Sequence, residues 1–289
     1  METRTKKPKK NQFLEFCRRF SKNKAALIGL VLFLVILFFS LFADLFVNYD
    51  LDAITHSPDR LAPPSIAHLF GTDGYGRDTL ARVLYGTRNS LQMALTATVC
   101  ALAVSLVIGA VAAFYGGILD SVIMRVLDMF MGIPVILLAI AVSASLGPGK
   151  ENLILAIVIS QIPQFTRVTR SAILNVVGQE YVEAARAYGS PDYSIICRQI
   201  LPNTMGLVII QATMAVAQII LSIAALSYLG LGISPPAPEL GSMLSEGREY
   251  MRYSQWVMIF PGLMIALTAL SLNLMGDGLR DALDPRLKN

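Results

Sequence analysis

The sequence predicts an all-α membrane protein with six transmembrane helices, and three observations carry that reading. Apolar residues make up 54% of the 289 and charged residues only 15%, the mean hydropathy is +0.58, and apolar runs long enough to cross a bilayer recur along nearly the whole chain. A soluble core accounts for one or two such runs and leaves the rest facing water. The formal charge of +4 and pI near 9.0 raise nucleic acid as a partner. However, nine of the 24 Lys and Arg fall in the first 24 residues, beside the first apolar run, so the bias reads as a topology signal and no nucleic-acid partner is expected.

Residues 1–24 form a basic N-terminus. The first span, residues 25–47, follows with the charge order of a signal peptide. Its apolar stretch exceeds an h-region and no small-x-small cleavage site comes after it, so it is expected to stay as an anchor. Residues 48–86 make a polar segment. Further spans are expected at about 91–114, 122–145, 151–168, 206–231 and 256–277, each with small residues among Leu, Ile and Val. Gln161 and Pro163 interrupt the fourth, which a membrane helix tolerates where neighbours satisfy the freed carbonyl. Residues 278–289 close the chain as a tail.

Lys and Arg set the orientation. With the N-terminus inside, sixteen lie in inner segments and seven in outer ones, and Arg125 lies within a span. Both termini then face the cytoplasm, 48–86 is extracytoplasmic, and 173–205 is a large cytoplasmic loop. Residues 232–255 form a second outer loop carrying Ser234-Pro235-Pro236-Ala237-Pro238. Cys17, Cys100 and Cys197 have no metal-ligand spacing and read as small hydrophobes or idle thiols. His56 and His68 share one polar segment without acidic or Cys ligand spacing, so no metal is expected.

Enzyme chemistry finds no foothold: there is no His-Glu-x-x-His, no Gly-x-Ser-x-Gly elbow, and no nucleophile with a histidine inside a span. Gly147-Pro148-Gly149-Lys150 lacks the spacing and the Ser/Thr of a phosphate-binding P-loop, so the chain is not expected to hydrolyse ATP itself. Ionisable residues at membrane depth are Asp44, Arg125, Asp128 and Asp277. Arg125 and Asp128 stand three apart on one helix face, and a structural ion pair is favoured there over a proton relay. An ion-driven secondary transporter would keep acidic groups near the midplane at interrupted helices.

The cytoplasmic loop is the informative piece. Residues 179–188 are good helix formers with a small Ala184-Ala185 surface, Gly189 supplies a C-terminal turn, and Ser190-Pro191-Asp192 opens a second helix. Tyr193, Ile196 and Ile200 then share a face and Pro202 marks the end. A loop that only joins two spans does not need an amphipathic pair; an interfacial helix lying on lipid is the alternative.

Glu183-Ala184-Ala185, Gly189 and Ile200-Leu201-Pro202-Asn203 resemble the EAA loop of ABC importer permeases, the element received by a cleft in the nucleotide-binding subunit. Gln199 stands where the general pattern has an aliphatic residue, a variation familiar in the peptide-importer branch. Further stretches resemble that branch, the dipeptide/oligopeptide/nickel family, and specifically its shorter second permease subunit. They are Phe70-Gly71-Thr72-Asp73 with Gly76-Arg77-Asp78, Ile123-Met124-Arg125-Val126-Leu127-Asp128, Leu226-Ser227-Tyr228-Leu229-Gly230-Leu231-Gly232, and the run from Gly276 to Pro285.

The resemblance implies a type I ABC importer permease fold whose core is residues 87–277, with a cytoplasmic coupling helix between spans four and five. It implies a permease subunit rather than an enzyme, in the cell (inner) membrane of a bacterium or archaeon. A longer second permease subunit would share the pathway, one or two kinds of ABC ATPase subunit would bind ATP and Mg, and an extracytoplasmic solute-binding protein would deliver cargo. This chain would hold no cofactor. Dipeptides or short oligopeptides are the implied cargo, with glutathione, nickel chelates or antimicrobial peptides as alternatives within the family. Glu183, Ala184, Ala185, Gly189, Ile200, Leu201 and Pro202 would form the ATPase-coupling loop. Gly71, Thr72, Asp73, Gly76, Arg77 and Asp78 are a family motif; from the residues alone they read as a capped turn with Arg77 and Asp78 paired.

Overall fold

The computed structural model describes residues 17–283, and among them every regular element is helical. Helix α1 is Lys24–Leu41, α2 Thr79–Tyr115, α3 Gly117–Met131, α4 Val135–Leu146 and α5 Lys150–Val177. These are followed by α6 Glu180–Ala187, α7 Asp192–Ile195 with a π-turn over Ile196–Ile200, α8 Leu201–Tyr228, α9 Leu240–Gly247 and α10 Trp256–Leu283. Side chains seal the starts of α1 and α2: Asn23 accepts from the Ala26 amide (3.1 Å) and Asp78 from the Ala81 amide (2.9 Å), each satisfying a donor that the first turn leaves free.

Among the described residues four helices are long and apolar enough to cross a membrane, namely α1, α2, the continuous run Asp192–Tyr228 and α10. The bent pair α3 and α4 makes a fifth if counted as one span. The third expected span is therefore not one straight helix. It turns by 86° at Gly132-Ile133-Pro134, where Pro134 removes an amide donor and disfavours helical geometry at Ile133. Helix α5 has 28 residues, but Lys150, Glu151, Gln161, Gln164, Arg167 and Arg170 make it the most polar of the long helices.

The bundle is built around α2 and α5, which pack along much of their length, with α8 against both and α10 beside α8. Their shared core holds Met93, Ala97, Ala101, Leu153, Ile157, Phe165, Ala217, Ile220 and Ile223. Helix α1 packs chiefly on α10 through small residues: a Cβ on Gly29 would stand 2.6 Å from Leu274 Cβ, and one on Gly278 2.1 Å from Ala26 Cβ, so larger side chains would force the helices apart. The outward face of α1 exposes Ile28, Val31, Leu34 and Phe38, as a lipid-facing helix does. The small residues of the fifth span are divided: Ala215, Ala217 and Ala224 are buried, while a Cβ on Gly206 would meet nothing within 4 Å.

Candidate functional site

The two groups of candidate residues lie at opposite ends of α2, whose 37 residues span about 55 Å. Beyond the start of α2, Gly71 to Asp78 fold into a tight turn. Asp73 N donates to Arg77 O and Gly76 N to Asp73 O, both at 3.0 Å, and the Trp256 indole donates to Thr72 O at 3.1 Å. Gly76 has φ +80 and a Cβ there would lie 2.2 Å from Ser57 O, so both conformation and space require glycine.

Arg77 is not paired with Asp78, as the sequence suggested. Asp78 is committed to the α2 N-cap and to His68 Nδ1 at 2.9 Å, so Arg77 turns inward. Its Nε donates to Asp73 Oδ2 (2.7 Å) and its Nη2 to Glu246 Oε2 (2.6 Å). Arg82 adds a second cation, with Nη2 3.1 Å from Glu246 Oε2 and Nε 3.4 Å from Asp73 Oδ2. The side chains of Arg77, Arg82 and Asp73 are 2%, 1% and 7% exposed. Two guanidinium groups and two carboxylates thus form a neutral, nearly dry quartet that fastens the turn before α2 to α9. His56, the other histidine, stacks on Tyr75.

A second buried acid fixes the start of α9. Glu239 accepts from Ser90 Oγ (3.0 Å) and from the Ser242 amide (2.8 Å), and burial pushes its carboxyl above the ordinary range. Glu239 and Glu246 were missed from sequence, because Ser90, Arg77 and Arg82, which hold them, lie more than a hundred residues away. For Glu239 the signal was an acid directly after the Pro-rich run; Glu246 stands in a charged stretch with Arg248 and Glu249 and gave none.

At the other end of α2 the loop residues come together with two distinct faces. Val182 and Ala185 of α6, with Ile195 and Ile200, pack into a core made with Ala110, Ala113 and Phe114 of α2 and Ile173 of α5. The Arg186 guanidinium lies 4.5 Å over the Phe114 ring. The opposite face presents Glu183, Ala184, Gly189 and three tyrosines, Tyr181, Tyr188 and Tyr193. Gly189 closes α6 at φ +74, its amide donating to Arg186 O at 2.9 Å.

Two details differ from expectation. Tyr193 is 72% exposed, and Ile195 pairs with Ile200 on the buried face, because the π-turn brings residues five apart into line. Pro202 does not end the helix but sits in the first turn of α8, where its missing amide costs nothing.

Between these ends, ion pairs tether α3 to α5. Asp120 receives Arg170 bidentately, Nε and Nη2 each at 2.5 Å, and Asp128 pairs with Arg167. The expected Arg125–Asp128 pair is thus replaced by one across helices: Asp128 faces α5, whereas Arg125 lies beside Ile118, Val122 and Val126 on the outward face of α3.

A polytopic helical bundle with an ordered two-faced loop at one end and a rigid cap at the other is the architecture of a membrane transport permease. Residues 105–289 match the model of the family described as "Binding-protein-dependent transport system inner membrane component", and residues 11–64 that of the "N-terminal TM domain of oligopeptide transport permease C". The dipeptide transport system permease protein DppC of Alkalihalophilus pseudofirmus is 41% identical over 275 residues, 95% of this chain and 90% of that one. The di/tripeptide transport system permease protein DppC of Pseudomonas aeruginosa is 42% identical over 280 residues, 95% and 92% of the two chains. The glutathione transport system permease protein GsiD of Pectobacterium atrosepticum is 40% identical over 276 residues, 95% and 91%. Among solved structures, a chain of the MetNI methionine ABC transporter aligns with TM-score 0.57 at 19% identity, covering 70% of this chain and 96% of that one, a likeness of fold. This chain belongs to the family of binding-protein-dependent transport system inner membrane components, the membrane permeases of ABC importers. Permeases of this kind work with ATPase and permease partners.

Proposed function

We propose that this permease is one of two different permease subunits of an ABC importer for dipeptides or short oligopeptides, and that Glu183 to Pro202 is the element an ATPase subunit grips. The observation that carries the coupling role is the two-faced loop. Its apolar face is buried on α2 and α5 while Glu183, Ala184, Tyr188 and Gly189 stand free, so a partner can seat on one side and push the bundle through the other. The cargo reading rests on relatives above 40% identity named for dipeptides and di/tripeptides. The glutathione relatives favour a second reading within the same class, since glutathione is itself a tripeptide.

Six spans follow if α3 with α4, and α5, each cross once. An even number is supported by the chain ends: Asn23 Nδ2 donates to Asp281 Oδ2 (3.1 Å), while the Trp256 indole holds the opposite end of α10 against Thr72 O, beside the start of α2. Both described ends therefore sit at the loop end of the bundle, where Arg167, Arg170, Arg186 and Arg198 also gather, which supports a cytoplasmic placement. Segments 48–86 and 232–255 would then face outward, as the docking surface for a solute-binding protein. ATP and Mg would be held by the ATPase subunits.

The test is the complete complex carrying Gly189→Asp or Glu183→Lys, assayed by pull-down of the ATPase subunits and by uptake of labelled dipeptide. Both variants should reach the membrane with the second permease and lose ATPase contact or uptake. Undiminished contact and uptake in both would refute the docking role and return attention to ion-driven transport.

A further inference from the structure

The bend between α3 and α4 lies at a depth where lipid-facing backbone stays helical. Lys150, at the start of α5, donates to Gln92 Oε1 at 2.8 Å, and Pro163 follows 13 residues later. At 1.5 Å per residue that is about 20 Å, roughly half the length of α5. The bend packs at this level: Ile133 and Val135 line a cavity of about 60 Å³ with Ser160, Pro163 and Gln164.

Backbone pairing is irregular on both sides of that cavity. Gly132 N reaches Asp128 O and Ile133 N turns back to Phe130 O, both at 3.1 Å. Pro134 and Pro163 bring no amide hydrogen, so neither closes a helical bond to Phe130 O or Ile159 O; Ile133 N serves Phe130 O instead, and Pro134 O accepts from Leu137 N (2.9 Å) and Leu138 N (3.1 Å). Residues 129–137 are exposed throughout on this subunit. Non-helical backbone at membrane depth persists only where protein buries it or where it lines a water-filled cavity. Ser160 and Gln164 give one side of the cavity polar groups, opposite Phe130, Met131 and Leu138, and its volume has room for a few waters at ~10–15 Å³ each.

We propose that the Gly132-Ile133-Pro134 bend lines the translocation pathway at mid-membrane, and that the Gly132 and Ile133 carbonyls together with the Gln164 amide bind the backbone of the peptide cargo. Carbonyl acceptors meet peptide N–H donors, and a primary amide both donates and accepts, so the pair reads what all peptides share and leaves side chains unread. This rests on the peptide-importer reading above and adds the place where cargo is touched.

The experiment uses the complete importer in proteoliposomes with Cys17, Cys100 and Cys197 replaced by Ser. Ile133→Cys, Gln164→Cys and, on the lipid-facing side of α1, Val31→Cys are labelled with a charged, membrane-impermeant methanethiosulfonate. Labelling at 133 and 164 should run about tenfold faster than at 31, because only water-exposed thiolates react, and saturating dipeptide should slow it severalfold. Gln164→Leu should raise the uptake KM about three- to tenfold, the loss of one or two hydrogen bonds, while ATPase pull-down is unchanged. Rates at 133 and 164 no higher than at 31, whether a helix of the second permease or a lipid chain covers the bend, would overturn the proposal. Labelling that dipeptide leaves unchanged while uptake proceeds would overturn the cargo contact. If the wild-type complex takes up no dipeptide, the cargo reading of the preceding subsection fails, and the labelling rates still decide whether the bend meets water.

Discussion

Glu246→Gln is the sharpest test of the cap at the start of α2. Glu246 Oε2 receives both Arg77 Nη2 (2.6 Å) and Arg82 Nη2 (3.1 Å), and the two arginine side chains are 2% and 1% exposed. The substitution keeps the shape but leaves two buried guanidinium groups sharing the single carboxylate of Asp73. Removing one partner of a buried charge pair costs about 3–5 kcal/mol, and the 23% exposure of Glu246 places this case near the lower end. At about 2–4 °C per kcal/mol for a chain of this size, the expected fall is about 6–12 °C in the thermal transition of the purified complex. The control is Arg88→Gln, which breaks a pair with Asp44 that is 39% and 60% exposed; it should cost under about 1 kcal/mol. Adding Arg77→Met to Glu246→Gln restores neutrality and should recover part of the loss, giving a coupling energy above about 1 kcal/mol. Equal shifts for Glu246→Gln and Arg88→Gln, or strict additivity in the double variant, would refute the claim that burial makes this quartet matter.

Two glycines separate strain from collision. Gly189→Ala meets nothing within 4 Å and should cost only the roughly 1–2 kcal/mol of a left-handed alanine, whereas Gly76→Ala would drive a Cβ to 2.2 Å from Ser57 O and should abolish assembly, read by detergent-stable complex yield. Glu239 gives a pH prediction. A carboxyl held above its unfolded value contributes stability below about pH 4.3 that is lost as pH rises through the folded value, so the wild-type transition should fall relative to that of Glu239→Gln as pH rises from about 4.3. The glutamine can still accept from the Ser242 amide and donate to Ser90 Oγ, and a difference that does not change with pH would show that the carboxyl ionises freely in the fold.

Helix identity and the paired-helix loop were legible in the sequence because they depend on local signals: apolar runs, Gly189 as a stop and Pro191 before a new start. The two-faced character of residues 180–200 was legible for the same reason, although its phase was not. A regular 3.6-residue period groups Tyr193 with Ile196 and Ile200, but a π-turn resets the count and buries Ile195 instead. The 86° bend was written in Gly132 and Pro134, yet an apolar run continuing through them masked it. Charge pairing failed wherever the true partner was remote. Arg77, Arg125 and Asp128 each had a plausible neighbour within four residues, and in the fold Arg77 also engages Glu246 while Asp128 goes to Arg167, contacts that no local period encodes.

The π-turn also decides how far a push on the loop can travel. A regular helix through Pro202 would need its absent amide to bond the Arg198 carbonyl. With Leu201 N bonded instead to Ile196 O, five residues back, the chain enters the proline in the first turn of α8 without a break. Asp192–Tyr228 is therefore one helical run of 37 residues, about 55 Å long. At its far end a Cβ on Gly241 would lie 2.3 Å from Ala224 O, so α8 and α9 touch backbone to backbone and cannot slide apart without opening a gap. Helix α9 in turn is clamped by Glu239 to Ser90 and by Glu246 to Arg77 and Arg82. Under the docking proposed above, a shift applied at Tyr193 would reach the outer cap through one rod and one tight contact, with no flexible joint between them. The quartet would then resist that motion or move with the rod as a unit. Loosening the α8–α9 contact, rather than either end, is where transport should be lost with both the ATPase contact and the cap intact.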